Sequence, residues 1–289
     1  MEVEGRTLSL SNLTKVMYPE TGFTKGALID YYSRVSGALL PHLRGRPLTL
    51  KRYPNGVEAA HFYEKQCPSH RPDWVRTATI PMGRKTIDFC LCEDLPTLVW
   101  LANLADLELH PSLSLAEPID QPTVMAFDLD PGDGAGLEEC CAVAVILRES
   151  LQRLGLECFA KTSGSKGLQV YAPLNSDEVT YDDTKPLSNA LARHLEAEHP
   201  NLIVSSQKKE LRRGKVLIDW SQNDEHKTTV CVYSLRARGR PTVSTPLAWE
   251  ELEDPRALSF EADAVVERVE ARGDLFAPVL SLEQELPEL

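Results

Sequence analysis

Val124-Met-Ala-Phe-Asp128-Leu-Asp130-Pro-Gly132 is the stretch on which the interpretation of this sequence depends. It is mostly apolar before its prolyl-glycine end, which indicates a buried strand that stops at Pro131-Gly132. Because strand side chains alternate between faces, Asp128 and Asp130 point the same way. Adjacent carboxylates repel each other, and a bound Mg²⁺ or Mn²⁺ relieves that repulsion. The stretch therefore predicts a metal site for phosphoryl or nucleotidyl transfer, with a solvated Asp-rich turn as the alternative.

A second carboxylate ends another apolar run, in Lys215-Val-Leu-Ile-Asp219-Trp-Ser-Gln-Asn223. A buried carboxylate is costly unless it has a partner. If this strand lies beside the first, three carboxylates converge, which suffices for two cations about 3.5–4 Å apart. The alternative is an Asp that begins an ordinary turn.

A glycine-rich loop separates two predicted strands, in Lys161-Thr-Ser163-Gly-Ser-Lys166-Gly-Leu-Gln169. Its glycines allow backbone N–H groups to approach phosphate oxygens, and Ser163 and Lys166 add a donor and a charge. It lacks the residue order of a Walker A loop, and a strand follows it instead of a helix. The loop predicts either phosphate binding or an ordinary hairpin connection.

Composition limits the class of protein. The 289 residues are 42% apolar and allow one large domain or two modest ones. No apolar run reaches the length of a membrane span, and the start lacks the segments of a signal peptide, so we expect a cytoplasmic protein without a membrane partner. The net charge of −12 argues against binding driven by overall charge, but a local basic surface can still bind nucleic acid. Basic clusters lie at Lys208, Lys209, Arg212, Arg213 and Lys215, and at Arg236, Arg238 and Arg240.

The seven cysteines are odd in number, and no two have Cys-x-x-Cys spacing. This pattern argues against a zinc ribbon or a disulfide framework and predicts free thiols in a reducing compartment. Cys90 and Cys92 are interpreted as strand packing.

Strands and helices are mixed along the chain, which predicts an α/β or α+β fold, and the proline-rich stretch 111–123 is the expected seam between two modules. Helices are predicted at 25–43 (capped by Thr24), 95–107, 136–154, 184–198, 247–252 and 261–271. Besides the Asp128 strand, strands are predicted at 47–53, 59–64, 156–161, 168–172, 201–206, 215–220 and 228–234.

Eight segments of the chain, taken in order, carry a family resemblance: 12–19, 51–57, 62–65, 107–111, 127–132, 162–168, 219–223 and 233–236. Together they resemble the polymerase domain of bacterial ligase D, a branch of the archaeo-eukaryotic primase superfamily. The resemblance implies two mixed β-sheets flanked by helices, with the active site between them. It also implies a single domain over 1–289, with an N-terminal module at about 1–115, a catalytic module at about 120–245 and a C-terminal helical segment at about 246–289. No ligase or nuclease portion follows, so a stand-alone polymerase module is expected.

The resemblance also implies residue roles. Asp128, Asp130 and Asp219 would be the catalytic metal ligands for two Mn²⁺ or Mg²⁺ ions. The residues expected to bind the nucleotide are His110, Ser163, Lys166, Gln169 and Arg236. The residues expected to bind DNA are Asn12, Lys15, Lys25, Lys51, Phe62, Tyr63 and Lys65, with Lys15 and Lys25 at a 5′-phosphate and one of the two aromatic rings facing the core.

Two positions depart from the family pattern: Gln169 stands where a histidine is common, and Ser112 where a tryptophan often follows. Since glutamine carries no charge, triphosphate affinity or nucleotide choice is expected to differ. No metal acid is lost, so catalysis is still expected.

The function implied is extension of primer 3′ ends at DNA gaps or breaks with NTPs or dNTPs, ribonucleotides being preferred, in non-homologous end joining or gap repair. A separate DNA ligase and Ku are the candidate partners, and the expected location is the cytoplasm, at the nucleoid. Two alternatives remain open. One is a phosphohydrolase with Asp128 as nucleophile, and the other is a non-catalytic module that bridges DNA ends.

Overall fold

The computed structural model describes residues 1–287, and it is a mixed α/β structure, which confirms the fold class predicted from the sequence. The helices are α1 Lys25–Leu39, α2 Leu95–Asn103, α3 Leu137–Arg153, α4 Tyr181–Glu198 and α5 Ala262–Arg272. The strands are β1 Glu2–Val3, β2 Arg6–Thr7, β3 Val16–Tyr18, β4 Phe23–Thr24, β5 Leu48–Arg52, β6 Phe62–Glu64, β7 Thr77–Met82, β8 Lys85–Cys90, β9 Asp106–Pro111, β10 Val124–Pro131, β11 Phe159–Thr162, β12 Leu168–Pro173, β13 Ile203–Val204, β14 Val216–Asp219 and β15 Pro246–Leu247.

The chain forms two compact units, and each is built from three separate stretches. The first unit comprises 1–117, 228–244 and 260–274, and the second comprises 118–227, 245–259 and 275 onward. After residue 227 the chain therefore alternates between the two units. The single domain and its three modules, as expected from the sequence, stay a prediction.

In the first unit, β5 is the central strand of a sheet. It pairs antiparallel with β9 along one edge, and with β6 and the end of β8 along the other. The strand β7 completes the sheet by pairing with β8. Thr49 lies opposite His110, and Lys51 lies opposite both Glu108 and Tyr63. Because paired residues share a face of the sheet, these five side chains lie on one side of it.

In the second unit, β10 lies inside a six-stranded sheet of order β13-β14-β10-β12-β11-β15. Both neighbours of β10 run antiparallel to it, and α3 packs against β10 and β12. Apolar side chains of β10, such as Phe127 and Leu129, are fully buried. Burial of these apolar side chains therefore fixes the position of β10, and with it the positions of Asp128 and Asp130 on the opposite face of the sheet.

Helix boundaries mostly follow the sequence signals. Thr24 caps α1 as predicted, since its hydroxyl accepts a hydrogen bond from Ala27 N. The second helix begins after Asp94, whose carboxylate accepts from Thr97 N, and it ends at Asn103 instead of 107. Leu104 and Ala105 form a turn, and the last two residues of that predicted helix begin β9, because apolar residues of a short buried strand resemble a helical turn.

Other predicted elements were wrong or too long. Instead of a strand, 228–234 is an irregular segment with one isolated bridge at Thr228. Its N–H groups at Thr229 and Cys231 donate to carbonyls of β9, but Tyr233 adopts a positive φ of 63° that interrupts extended pairing. The predicted strand 201–206 is reduced to β13, and the predicted helix 247–252 is a 3₁₀ helix over Trp249–Glu253. The β7–β8 hairpin was missed because much of its surface is polar and exposed.

The cysteines correct a further prediction. Cys67 and Cys90 form a disulfide with a Cα–Cα distance of 5.0 Å, whereas the other five cysteines are free and buried. Cys67 N donates to Asp88 O, so the segment after β6 lies along β8 and brings the two thiols together. Sequence spacing could not reveal this pair, because 22 residues that include a hairpin separate its members. Of the helices in the described part of the chain, none is long and apolar enough to span a membrane.

Candidate active site

Four polar residues form a row across adjacent strands of the second unit. Asp128 in β10 lies opposite Asp219 in β14 on one side and opposite Gln169 in β12 on the other. Gln169 in turn lies opposite Lys161 in β11. Paired residues of antiparallel strands share a face, so the row Asp219–Asp128–Gln169–Lys161 lies on one side of the sheet. Asp130, two residues beyond Asp128, emerges on the same side.

Like charges dominate the electrostatics of this row. Burial and the carboxylates of Asp130 and Asp219 raise the pKa of Asp128 well above its ordinary value, while Gln169 and Lys161 act in the opposite direction. Mutual repulsion of this kind disfavours ionisation of all three acids together. A cation would remove the penalty, and carboxylate oxygens are the ligands that Mg²⁺ and Mn²⁺ prefer.

The carboxylate of Asp219 accepts hydrogen bonds from the turn that follows it. Asp219 Oδ1 accepts from Ser221 N at 2.9 Å and from Ser221 Oγ at 2.6 Å, and Asp219 Oδ2 accepts from Gln222 Nε2 at 2.9 Å. Lys227 Nζ donates to Ser221 Oγ at 2.6 Å and thereby stabilises the same turn. Within residues 1–287, no three acidic, histidine or cysteine side chains are arranged to enclose a metal ion. The three acids suit a divalent cation chemically, and their assignment as metal ligands stays a prediction.

Gln169, the departure from the family pattern, connects Asp128 to a buried lysine. Its Nε2 donates to Asp128 Oδ1 at 3.1 Å, and its Oε1 accepts from Lys161 Nζ. Lys161 is 1% exposed and also lies 5.4 Å from the centre of the Tyr171 ring. A buried ammonium needs an acceptor, so Lys161 fixes the direction of the Gln169 amide.

The glycine-rich loop is braced by its own serine. Ser163 Oγ accepts from Ser165 N and from Gly167 N, both at 3.2 Å, and Ser163 N donates to Gly167 O at 2.9 Å. Lys166 is exposed at the tip of the loop. A Cβ at Gly167 would overlap the Leu129 carbonyl, so only glycine lets the loop approach β10 this closely.

In the first unit, His110, Arg236 and Lys51 surround a carboxylate that the sequence analysis did not select. Glu108 Oε2 lies 3.0 Å from His110 Nε2 and 3.2 Å from Arg236 Nε. The arginine contact is an ion pair only, because its N–H does not point at the oxygen. Lys51 Nζ donates to Glu108 Oε1 at 3.0 Å. Two of the predicted nucleotide-binding residues and one predicted DNA-binding residue are therefore brought together.

The residues predicted to hold a 5′-phosphate converge at the start of α1. Lys25 N donates to Lys15 O at 2.8 Å, and Lys25 Nζ donates to Ser11 Oγ at 3.3 Å. Asn12, at a φ of 54°, begins the turn that leads to Lys15. Burial and the charge of Lys15 lower the pKa of Lys25. Two cations beside a helix N-terminus that carries no acid in its first turn form an electropositive site.

The expectation that one of the rings of Phe62 and Tyr63 faces the core was wrong. Neither ring faces the core, since Phe62 is 43% exposed and Tyr63 is 60% exposed. Both lie on β6 at the edge of the sheet, where Arg52 stacks over Phe62 and Lys51 over Tyr63 on the opposite face. Lys65, the last of the predicted DNA-binding residues, is half-buried just after β6.

Sequence reasoning missed three residues that organise these groups, namely Glu108, Lys161 and Lys227. Strand alternation offered a signal for Glu108, which lies two residues before His110 in one strand and so shares its face. No comparable signal exists for Lys161 or Lys227, because their contacts depend on which strands and turns are neighbours.

Comparison with known proteins supplies the family. The model of the LigD primase-polymerase domain matches residues 24–276. The chain is 40% identical over 272 residues to the multifunctional non-homologous end joining protein LigD of Mycolicibacterium smegmatis, covering 93% of this chain and 36% of that protein. It is 31% identical over 267 residues to the bifunctional LigD of Bacillus subtilis, covering 92% of this chain and 43% of that protein. The chain thus spans less than half the length of these relatives.

A solved structure gives the same result for the fold. The polymerase domain of Mycobacterium tuberculosis ligase D, in complex with DNA, matches with a TM-score of 0.91 and 40% identity. The match covers 96% of this chain and 99% of that one. The chain therefore belongs to the family of LigD primase-polymerase domains.

Proposed function

We propose that this chain is a template-dependent nucleotidyltransferase that extends primer 3′ ends at DNA gaps or breaks. Family membership supports this activity and its setting in end joining or gap repair. The same family resemblance favours ribonucleotides as substrates and a separate DNA ligase and Ku as partners. The observation that carries the proposal is the row of Asp219, Asp128 and Gln169, with Asp130 on the same face.

Asp128, Asp130 and Asp219 would hold two divalent cations, Mn²⁺ or Mg²⁺. When bound, such ions favour ionisation of the attacking hydroxyl and neutralise the triphosphate. The protein's own contribution is rigidity, because Asp128 is held by Gln169 and Asp219 is held by the turn that follows it. Fixed acids lower the cost of reorganisation when substrate binds.

The triphosphate would bind through Arg236, His110, Ser163 and Lys166. Arginine and lysine give charge-assisted hydrogen bonds to phosphate oxygens. The loop braced by Ser163 lies close to β10, where glycine at 167 removes the side-chain obstacle, and it carries the exposed Lys166 at its tip. Gln169 would contribute to nucleotide binding as a neutral donor.

The DNA end would bind through the electropositive start of α1 and the exposed rings of β6. Lys15 and Lys25 suit a 5′-phosphate, and Asn12 shapes the turn between them. Phe62 and Tyr63, supported by Lys51, offer flat surfaces on which a template base can stack, a contact worth about 1–3 kcal/mol per base. Lys65 adds charge beside them.

Primer extension on a gapped duplex tests the proposal. We expect the wild-type chain to extend the primer with Mn²⁺ and NTPs, and to prefer a downstream 5′-phosphate over a 5′-hydroxyl. Asp128→Ala removes a metal acid and should lower the extension rate by about 10³-fold or more, the range seen when an essential charged group is lost. Asp182→Asn is the matched control, because that carboxylate is exposed on α4.

Four outcomes would contradict the proposal. The first is no extension by the wild-type chain, and the second is undiminished extension by Asp128→Ala. The third is release of phosphate from monoesters without extension, which would favour the phosphohydrolase. End binding that survives Asp128→Ala without any synthesis would favour the bridging module.

A further inference from the structure

Glu108 is a buried carboxylate at the centre of a cationic cluster in the first unit. Its side chain is 2% exposed. Glu108 Oε1 accepts from Lys51 Nζ at 3.0 Å, from Tyr53 Oη at 3.2 Å and from Ala237 N at 3.0 Å. Lys51 belongs to β5 and Tyr53 directly follows it, whereas Ala237 belongs to segment 228–244, which is far from both in sequence. One carboxylate thus joins parts of the chain that the fold brings together.

The other oxygen of Glu108 contacts the two residues expected to bind phosphate. Oε2 lies 3.0 Å from His110 Nε2 and 3.2 Å from Arg236 Nε. Burial acts to raise the pKa of Glu108, but the hydrogen bond from His110 and the charge of Arg236 outweigh it and hold the pKa well below its ordinary value. Glu108 is therefore ionised and can only accept hydrogen bonds.

An ionised Glu108 determines which nitrogen of His110 carries the proton. Because the carboxylate only accepts, His110 Nε2 must donate to it, and the neutral ring then has a bare lone pair on Nδ1. A bare nitrogen repels a phosphate oxygen, whereas a protonated Nδ1 donates to it. Among the described residues, Thr49 lies directly opposite His110 and is buried with no partner for its Oγ1.

We propose that Glu108 is a positioning residue for nucleotide binding, which holds the three basic side chains together and fixes the His110 proton on Nε2. A triphosphate is then bound by the doubly protonated ring, so that binding takes up one proton from solvent at Nδ1. This inference rests on the proposed function, since it assumes that the cluster receives the triphosphate.

The sign of the pH dependence follows from the groups around His110. Burial lowers the pKa of the free His110, and its contact with Glu108 raises it only in part. A bound triphosphate adds negative charge and raises the pKa again. Affinity is therefore greatest below the pKa of the free ring and falls as pH rises through the pKa in the complex. The charged or titratable groups facing the ring are Glu108 on β9, Lys51 on β5, Tyr63 on β6 and Arg236 in segment 228–244.

Calorimetric titration of the full chain tests this coupling. ATP is added with excess Mg²⁺ and without DNA, in two buffers that differ in heat of ionisation, so that the difference in heat counts the protons taken up. We expect proton uptake by the wild-type chain at pH values between the pKa of the free His110 and its higher pKa in the complex. Glu108→Gln should weaken ATP binding by about tenfold or more and reduce the proton uptake towards zero.

Controls separate positioning from folding. Asp106→Asn replaces another buried acid of β9, which shares no hydrogen bond with His110 or Arg236, and should leave affinity and proton uptake unchanged. His110→Gln keeps a side chain that can donate to Glu108 and should abolish proton uptake, which serves as the test if Glu108→Gln does not fold. Unchanged affinity and proton uptake in Glu108→Gln, or proton uptake that survives His110→Gln, would overturn the inference.

The experiments test the proposed function and the role of Glu108 separately. ATP binding with the expected proton uptake, but without primer extension, would refute the polymerase and keep the role of Glu108. Primer extension by a wild-type chain that binds ATP with no proton uptake would refute only the role of Glu108.

Discussion

The amide of Gln169 links two residues whose chemistry differs. Its NH₂ group donates to Asp128, and its carbonyl accepts from the buried Lys161. The sequence identified position 169 as a departure from the usual histidine, yet it gave no partner for the glutamine. The partners come from the pairing of β12 with β10 and β11, which no local pattern specifies.

Replacing Gln169 by leucine should destabilise the second unit by about 1–3 kcal/mol, because Lys161 Nζ loses this acceptor in a buried place. The double variant Lys161→Met with Gln169→Leu should recover part of that loss, since both polar partners are then gone. Urea unfolding of the two single variants and the double variant measures the coupling. Strictly additive effects would contradict a direct interaction.

At the scale of elements, two glycines have opposite roles. Gly37 lies exposed within α1, and a Cβ there would meet nothing within 4 Å. Gly167 lies where the glycine-rich loop approaches β10, and a Cβ there would overlap the Leu129 carbonyl. The sequence showed the glycines of the loop, but only the neighbouring strand shows which one has no space for a side chain.

Alanine at these two positions should therefore change stability in opposite directions. Gly37→Ala should add about 0.5–1 kcal/mol to the free energy of unfolding, because alanine loses less backbone entropy in a helix. Gly167→Ala should cost about 1–3 kcal/mol, since the loop and β10 must move apart. Thermal unfolding followed by circular dichroism compares them. A stabilised Gly167→Ala variant would show that the approach is not tight.

At the scale of the whole molecule, binding depends on where basic side chains cluster, and stability depends in part on one disulfide. The chain carries a net charge of −12, yet Lys15, Lys25, Lys51 and Arg236 are arranged in local positive sites. The disulfide between Cys67 and Cys90 ties the segment after β6 to β8. It therefore restrains the part of the first unit that carries the exposed rings.

Reducing this disulfide should lower the free energy of unfolding by about 3 kcal/mol, the chain-entropy value for a loop of this length. Thermal unfolding with and without reductant measures the effect, and the double variant Cys67→Ser with Cys90→Ser should no longer respond to reductant. Thiol titration of the unreduced, denatured protein should give five thiols, matching the free cysteines. Seven thiols, or an unfolding temperature unaffected by reductant, would contradict the bond.

The sequence by itself determined the elements whose signals are local. Thr24 predicted the start of α1, and the apolar run before Asp128 predicted β10, because capping and burial act within a few residues. The Asp-x-Asp spacing also placed two acids on one face. These features need no knowledge of distant parts of the chain. The boundaries that failed, as at 104–107 and 228–234, are those where a contact with another strand decided the backbone conformation.

Tertiary structure decided which residues act together. The pairing of Asp128 with Asp219 and Gln169, the cluster around Glu108 and the Cys67–Cys90 bond all join segments far apart in sequence. Hydrophobic patterning can bury a strand but does not name its neighbours, and the neighbours set the charge and hydrogen bonding of each acid. The sequence therefore supplied the chemical groups of the proposed nucleotidyl-transfer site, and the packing of strands supplied their partners.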